Sequence, residues 1–383
     1  MQFEFRTVAS ILVEWSGASR LGALLAPRFQ GRRILLVTDA GLIRTGLLEP
    51  IQRSLAEAGF AVTIFDGVVA DPPEDVVRAC AAQARACQAE LVIGLGGGSS
   101  LDVAKLAAVL AVSTQDLADF YGIDKVTCGR LPLVLIPTTA GTGSEVTNIS
   151  VVTTGATTKL GVVAAPLFCD LALLDAELTL GLPPTHTAAT GIDAMVHAIE
   201  AYTSRHRKNP ISDTLAREAL RLLGTNLLTA CHDGTNRPAR EAMLLGAMLA
   251  GQAFANAPVA AVHALAYPLG GHYHVPHGLS NALMLAPVLR FNATAAAPLY
   301  AELADVLLGP SDSPPQTRSA NFVTEMQRLL DESGAPRRLR DVGVTDNSLA
   351  LLATDAMQHT RLLVNNPVDL TATDALALYR EAF

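Results

Sequence analysis

The sequence predicts an α/β domain with a parallel sheet over residues 1–185 and an all-α domain over residues 186–383. In the first part, short continuous apolar runs alternate with amphipathic segments, the pattern of a parallel sheet covered by helices on both faces. After Pro183-Pro184 nearly every segment has helical periodicity, and no convincing strand follows. The chain has 383 residues, enough for two domains of ordinary size.

The predicted elements of the first domain follow one another as β–α units. We expect strands at Ile34–Thr38, Ala61–Phe65, Leu91–Leu95 and Leu131–Ile136, and helices at Leu47–Ala58, Pro73–Ala86 and Ser100–Ser113. No internal repeat or low-complexity tract interrupts this alternation. Each strand is a run of apolar residues, so we expect it to be buried on both faces of the sheet.

Composition limits the class of protein and its partners. Half of the residues are hydrophobic and 17% are charged, so the chain is globular rather than disordered. A net charge of −8 disfavours nucleic acid as a partner. The five cysteines are scattered and form no Cys-x-x-Cys pair, which fits a reducing cytoplasm. We find no targeting segment and no membrane span, and expect a cytoplasmic protein.

A glycine-rich loop follows the strand at Leu91–Leu95. It reads Gly-Gly-Gly-Ser-Ser over residues 96–100 and leads into a predicted helix. Glycines let the backbone approach phosphate oxygens closely, and a helix N-terminus offers free N–H groups. Three glycines by themselves could simply mark a tight turn. The strand before them and the helix after them favour phosphate binding. The Gly-x-Gly-x-x-Gly fingerprint is absent.

Other candidate nucleotide-binding residues follow neighbouring strands. Asp39 ends the strand Ile34–Thr38, where a carboxylate can bind ribose hydroxyls and repel a 2′-phosphate, favouring NAD over NADP. Asp39 could equally be a helix N-cap. The loop at 137–147, rich in threonine and glycine, suits a second segment around a nucleotide. Lys159 could reach a ribose or phosphate, or could be a solvated surface lysine.

The segment Gly191–Tyr202 carries the first metal-ligand candidates. Asp193 and His197 are four residues apart in a predicted helix, so their side chains lie on the same face. The residues around them are apolar, and a buried carboxylate and imidazole need partners. A divalent metal would satisfy both.

Further imidazoles occur in a long segment without charged residues. No Asp, Glu, Lys or Arg lies between Ala242 and Leu289, yet four histidines do, namely His263, His272, His274 and His277. A buried histidine can be satisfied by a hydrogen bond or can bind a metal. Asp193, His197 and two of these four would form a site for Fe(II) or Zn(II) with an open position for substrate.

These motifs together resemble the iron-containing (group III) alcohol dehydrogenase family, most densely over residues 94–292. The resemblance implies an N-terminal dinucleotide-binding α/β domain and a helical metal-binding catalytic domain, the architecture shared with dehydroquinate synthase. It implies that the metal ligands are Asp193, His197, His263 and His277. It assigns Gly97, Gly98 and Ser99 to the pyrophosphate, Asp39 to the adenosine ribose, Thr138 and Thr139 to the length of the nucleotide, and Asp102 and Lys159 to its nicotinamide half.

One departure from the family affects proton transfer. Many members have a second histidine four residues after the position of His263, where this chain has Tyr267. A relay would then use Tyr267, a cofactor hydroxyl, His272, His274 or water. We therefore include Tyr267 among the catalytic residues.

The resemblance implies a metal-dependent alcohol dehydrogenase that transfers hydride reversibly between a small primary alcohol or diol and NAD, with the metal activating the alcohol oxygen. It also implies a homodimer or larger homo-oligomer. Two related enzymes are alternatives: a reductase like maleylacetate reductase, or a sugar-phosphate cyclase of the dehydroquinate-synthase type. Both need basic residues for anionic substrates, and the charge-free segment 242–289 disfavours them. A non-catalytic binding protein is disfavoured because one chain carries both kinds of site.

Overall fold

The computed structural model describes residues 2–155 and 158–383. Its strands are β1 (Ile11–Val13), β2 (Arg33–Asp39), β3 (Ala61–Val68), β4 (Leu91–Gly96), β5 (Gly122–Ile123), β6 (Leu133–Pro137), β7 (Ile149–Thr154), β8 (Thr158–Val163) and β9 (Leu171–Leu174). The α-helices before residue 182 are α1 (Leu21–Leu25), α2 (Ala40–Arg44), α3 (Leu48–Glu57), α4 (Glu74–Ala86) and α5 (Gly98–Leu110).

The rest of the described chain is helical. Its α-helices are α6 (Pro184–Thr203), α7 (Pro210–His232), α8 (Arg237–Asn256), α9 (Ala261–Tyr273), α10 (His277–Asn292), α11 (Ala297–Leu308), α12 (Pro315–Glu332), α13 (Leu349–Ala356), α14 (Thr360–Leu363) and α15 (Ala372–Ala382). Short 3₁₀ helices occur at Ala18–Arg20, Leu117–Phe120, Ser144–Val146, Ala165–Leu167, Ala176–Thr179, Leu339–Val342 and Asp346–Ser348.

The chain forms two compact units. The sheet unit contains Thr7–Thr139 and Gly143–Gly181. The helical unit contains the N-terminal residues through Arg6, the short segment Ala140–Thr142, and Leu182–Phe383. The predicted division at residue 185 falls within the first turn of α6, which begins at Pro184.

The sheet unit is built on a six-stranded sheet with the order β1-β9-β6-β4-β2-β3, in which every neighbouring pair is parallel. One face packs against α1 and α3 in a core that includes Leu36, Ile93 and Leu55. The other face packs closely on α5, since a Cβ at Gly94 would lie 2.8 Å from the Cβ of Ala104. Helices on both faces explain why the strands are continuously apolar. The predicted fold class is confirmed.

The predicted strands and helices of this unit are present, with ends that differ by a few residues. The sequence analysis missed a second sheet of three strands, β5-β8-β7, in which β7 and β8 form an antiparallel pair. Their mixed polar and apolar residues are only partly buried, so they lack the continuous apolar pattern of the central strands. It also missed β1 and β9, which have three and four residues.

The helical unit has α6 at its centre. Every residue of α6 from Gly191 to Thr203 is buried, and the helix packs against α7, α8 and α10. A helix that is apolar around most of its circumference must be enclosed in this way. In the described part of the chain, no single helix is long and apolar enough to cross a membrane. Among the described helices, α8 and α9 are the one pair that meets this criterion when taken together, and they are bent by 105° at their junction.

Candidate metal centre and nucleotide-binding edge

Three helices bring the four predicted metal ligands together. Asp193 and His197 are one turn apart on α6, His263 is in the first turn of α9, and His277 is the first residue of α10. One possible ligand atom from each lies within 4.8 Å of all the others.

The close approach of α10 to α6 requires a glycine beside His277. A Cβ at Gly278 would lie 2.6 Å from the carbonyl oxygen of Ala189 on α6, well inside contact distance. Any other residue would push the first turn of α10 away from α6. Gly278 therefore lets His277 lie beside Asp193, whose Oδ1 is 3.6 Å from His277 Nε2.

The distances would allow all four side chains to hold one divalent cation. Asp193 Oδ1 is 3.9 Å from Nε2 of His197 and 3.9 Å from Nε2 of His263. Two ligand atoms that are each about 2.1 Å from a common ion can be at most roughly 4.2 Å apart. A carboxylate with three imidazole nitrogens is a donor set that Fe(II) and Zn(II) both accept. The residues present therefore fit the metal that the resemblance implies.

The protonation states also suit metal binding. Burial lowers the pKa of His197 to about 3, against an opposing effect of Asp193, so the imidazole is neutral at pH 7. Burial would by itself raise the pKa of Asp193, but the three imidazoles and the amide of Asn281 outweigh it and lower that pKa. A neutral imidazole and an ionised carboxylate are the forms that bind a metal.

Neighbouring side chains complete this centre. Asn281 Nδ2 donates to Asp193 Oδ1 at 2.6 Å and lies 3.2 Å from His263 Nε2. The ring of Phe254 stacks on His197, with centroids 4.3 Å apart. The sequence analysis missed Asn281, although it lies one turn after His277 on α10 and its spacing could have indicated a role.

The other residues considered for proton transfer are placed differently. Tyr267 lies one turn after His263, with its ring centroid 6.0 Å from that of His277 and 5.0 Å from that of His359. His272 Nε2 pairs with Asp355 Oδ2 at 2.5 Å. His274 is exposed and ends α9 in the left-handed conformation. His359 lies far along the sequence and was missed.

Six of the predicted nucleotide-binding residues lie at or directly after the carboxyl ends of three strands of the six-stranded sheet, namely Asp39, Gly97, Gly98, Ser99, Thr138 and Thr139. The adjacent strands β2, β4 and β6 end at Asp39, Gly96 and Pro137, and Thr138 N donates to the carbonyl of Gly96 at 3.0 Å. Gly96 has a φ of +148°, and a Cβ there would lie 2.7 Å from Ser100 Oγ, so the loop requires glycine.

Asp39 has a local role and still faces the glycine loop. Its Oδ1 accepts from Leu42 N at 2.9 Å and caps α2, while Oδ2 lies 3.7 Å from where a Cβ of Gly96 would be. Gly97 is the N-cap of α5, and Gly98 and Ser99 are partly exposed in the first turn of that helix. The side chain of Thr139 is 3.7 Å from where a Cβ of Gly97 would be.

Asp102 and Lys159 are bound by other side chains or backbone groups. Asp102 accepts from Ser144 Oγ at 2.6 Å and from Val151 N at 2.9 Å. Its neighbour Lys105 is fully buried. Lys159 Nζ lies 2.6 Å from Asp71 Oδ1, an ion pair between residues 88 apart in the sequence.

Comparison with known proteins identifies one family over both parts of the chain. The family described as "Iron-containing alcohol dehydrogenase" matches residues 9–176, and "Fe-containing alcohol dehydrogenase family, C-terminal" matches residues 187–383. Long-chain-alcohol dehydrogenase 1 of Geobacillus thermodenitrificans is 42% identical over 93% of this chain and 91% of its own length.

Two solved structures are similar over nearly the whole chain. A 1,3-propanediol oxidoreductase has a TM-score of 0.95 and 35% identity, with 100% of both chains covered. The sulfoacetaldehyde reductase of Bifidobacterium kashiwanohense, solved with NAD+, has a TM-score of 0.87 and 30% identity, covering 100% of this chain and 99% of that one. Because the two family descriptions together match nearly all of the sequence, the chain belongs to the iron-containing alcohol dehydrogenase family.

Proposed function

We propose that this protein is an NAD-dependent, iron-containing alcohol dehydrogenase that interconverts a small primary alcohol or diol and its aldehyde. The observation that carries this proposal is the cluster of Asp193, His197, His263 and His277, whose ligand atoms lie within 4.8 Å of one another. When bound, the metal supplies a Lewis acid for the alcohol oxygen, and NAD accepts the hydride from the carbinol carbon.

The side chains around the cluster prepare it for this chemistry. Asp193 supplies the single negative charge of the ligand set, and the amide of Asn281 holds its Oδ1 in place. Phe254 covers one face of His197 with an apolar ring, which excludes water there and strengthens electrostatic interactions.

The residues at the sheet edge would bind the nucleotide. Backbone N–H groups of Gly97, Gly98 and Ser99 at the start of α5 would bind the pyrophosphate. The free Oδ2 of Asp39 would accept from the adenosine ribose. Thr138 and Thr139 would follow the nucleotide.

Asp102 and Lys159 would act at the nicotinamide half in different ways. Asp102 Oδ1 accepts from Ser144 Oγ, and its Oδ2 accepts from Val151 N. Asp102 would therefore act indirectly, by holding the segment at Ser144 and strand β7 in place. Lys159 would have to exchange its bond with Asp71 for one to the nucleotide.

Replacing Asp39 with serine should raise the KM for NAD by about 10- to 100-fold, because a hydrogen bond to a charged group contributes roughly 1.5–3 kcal/mol. Serine is also a good N-cap, so α2 should remain folded. Discrimination against NADP should fall, since the repelling carboxylate is gone. Steady-state kinetics with both cofactors measures this, with Asp75→Ser at an exposed position of α4 as the control. An unchanged KM for NAD would exclude Asp39 from the cofactor site.

We propose that protons are transferred through side chains beside His277. Tyr267 would be the first of these beyond the four metal ligands. Tyr267 is adjacent to both His277 and His359. Burial lowers the pKa of His359, which favours its neutral form. This pair is better placed than His272, which is already bonded to Asp355.

We also propose that the enzyme works in the cytoplasm as a homodimer or larger homo-oligomer. Support for the compartment comes from five free cysteines, a state that a reducing environment preserves. The family resemblance supports the oligomer. Light scattering on the purified protein measures its mass in solution.

The proposed function predicts that activity depends on a removable metal. Chelation should abolish NADH production from alcohols, and Fe(II) added without oxygen should restore it. The substrate panel should contain short primary alcohols, 1,3-propanediol and one long-chain alcohol, because the similar proteins named above are named for different alcohols. Magnesium added back in place of Fe(II) is the control. Turnover that survives complete metal removal would favour the alternative of a reductase like maleylacetate reductase, acting here without a metal.

A further inference from the structure

Glu200 is a buried carboxylate that the proposed mechanism does not use. It lies on α6 seven residues after Asp193 and three after His197, so all three face the same side of the helix. Only 4% of Glu200 is exposed. A carboxylate in such a place is costly unless several donors surround it.

The backbone of α9 supplies two of those donors. Glu200 Oε2 accepts from Ala260 N at 2.8 Å, and Oε1 accepts from Val262 N at 2.7 Å. The helix has no side-chain cap of its own at Ala260. Glu200 therefore caps α9 from a different helix, and the positive end of the α9 dipole stabilises its charge.

The third contact joins Glu200 to a predicted metal ligand. His263 Nδ1 lies 2.7 Å from Glu200 Oε2. An ionised carboxylate can only accept, so Nδ1 must carry the hydrogen and donate it. A neutral His263 then has its lone pair on Nε2, the nitrogen 3.9 Å from Asp193 Oδ1.

We propose that Glu200 is a positioning residue of the metal centre, which fixes the tautomer and ring orientation of His263 and makes its Nε2 a stronger donor. This rests on the proposed function, in which His263 binds the metal. Carboxylates that accept from a ligating histidine act in this way and typically change metal affinity by about 10- to 100-fold. The same side chain thereby caps the N-terminus of α9 and tunes how strongly His263 Nε2 would bind a metal.

The test separates the effect on His263 from the effect on the backbone. Glu200→Gln removes the negative charge and replaces one acceptor by a donor. Asn365→Ala is the matched control, because Asn365 Nδ2 donates to the carbonyl of Val259 at 2.9 Å and so holds the same segment without touching His263. Co(II) is the probe, titrated into metal-free protein against a chromogenic chelator.

We expect Glu200→Gln to raise the dissociation constant for Co(II) by about 10- to 100-fold and to shift the visible absorption of the bound ion. Asn365→Ala should bind Co(II) like the wild type. Equal affinities of Glu200→Gln and wild type would overturn the proposal, and so would equal weakening in both variants. A wild type that binds no Co(II) would instead overturn the proposed function together with this inference.

A measurement on the wild type covers the case in which Glu200→Gln does not fold. Nitrogen NMR of metal-free protein labelled at histidine reports the tautomer of each ring. The His263 resonances are identified by their loss in His263→Asn. A hydrogen on Nδ1 and none on Nε2 supports the proposal, and the opposite tautomer excludes it.

Discussion

Replacing His263 with alanine should abolish metal binding and lower kcat/KM for alcohol by at least about a thousandfold. A Lewis acid at a reacting oxygen contributes several kcal/mol to transition-state stabilisation, and each 1.36 kcal/mol is a tenfold change in rate. The affinity for NAD should remain, because the predicted nucleotide-binding residues belong to the sheet unit and His263 to the helical unit.

Metal content, steady-state kinetics and calorimetric titration of NAD measure these three quantities. His274→Asn is the matched control. It removes a histidine of the same charge-free segment, and asparagine tolerates the left-handed conformation that His274 adopts, with a φ of 54°. The control should keep its metal and its activity. Normal turnover in His263→Ala would exclude His263 as a ligand.

Replacing Lys105 with methionine should destabilise the sheet unit by roughly 3–5 kcal/mol, the usual cost of removing one partner of a buried ion pair. Lys105 Nζ donates to Ser144 Oγ at 2.7 Å and to the carbonyl of Ile149 at 2.9 Å, and lies 3.5 Å from Asp102 Oδ1. Burial lowers the pKa of Lys105 and raises that of Asp102, so both charged forms depend on their partners. Methionine fills the space but cannot donate.

Chemical denaturation followed by circular dichroism gives the loss of stability. Lys125→Met is the control, since Lys125 is exposed and its replacement should change stability by less than about 0.5 kcal/mol. Adding Asp102→Asn to Lys105→Met should recover part of the loss, because the uncompensated carboxylate is removed. If Lys105→Met alone is as stable as the wild type, the buried cation is not needed for the stability of the fold.

Local sequence patterns predicted four strands of the six-stranded sheet. They missed β1 and β9 of that sheet and the whole of the second, three-stranded sheet. Continuous apolar runs such as Leu91–Leu95, separated by amphipathic segments, predicted the buried parallel strands of this sheet. The strands β7 and β8 are held partly by contacts outside their own sequence, for example between Thr153 N and the carbonyl of Pro72 at 3.0 Å. A pattern read over a few residues does not contain such a partner.

The sequence by itself determined the motifs with short spacing: the glycine loop before α5, and Asp193 and His197 one turn apart on a buried helix. It could not choose two of four histidines without the family resemblance. Only the tertiary structure showed that His263 and His277 approach Asp193 while His272 turns to Asp355, that Lys159 pairs with Asp71, and that Glu200 contacts a histidine 63 residues away. These partners are distant in sequence, and packing between helices or strands decides which of them meet.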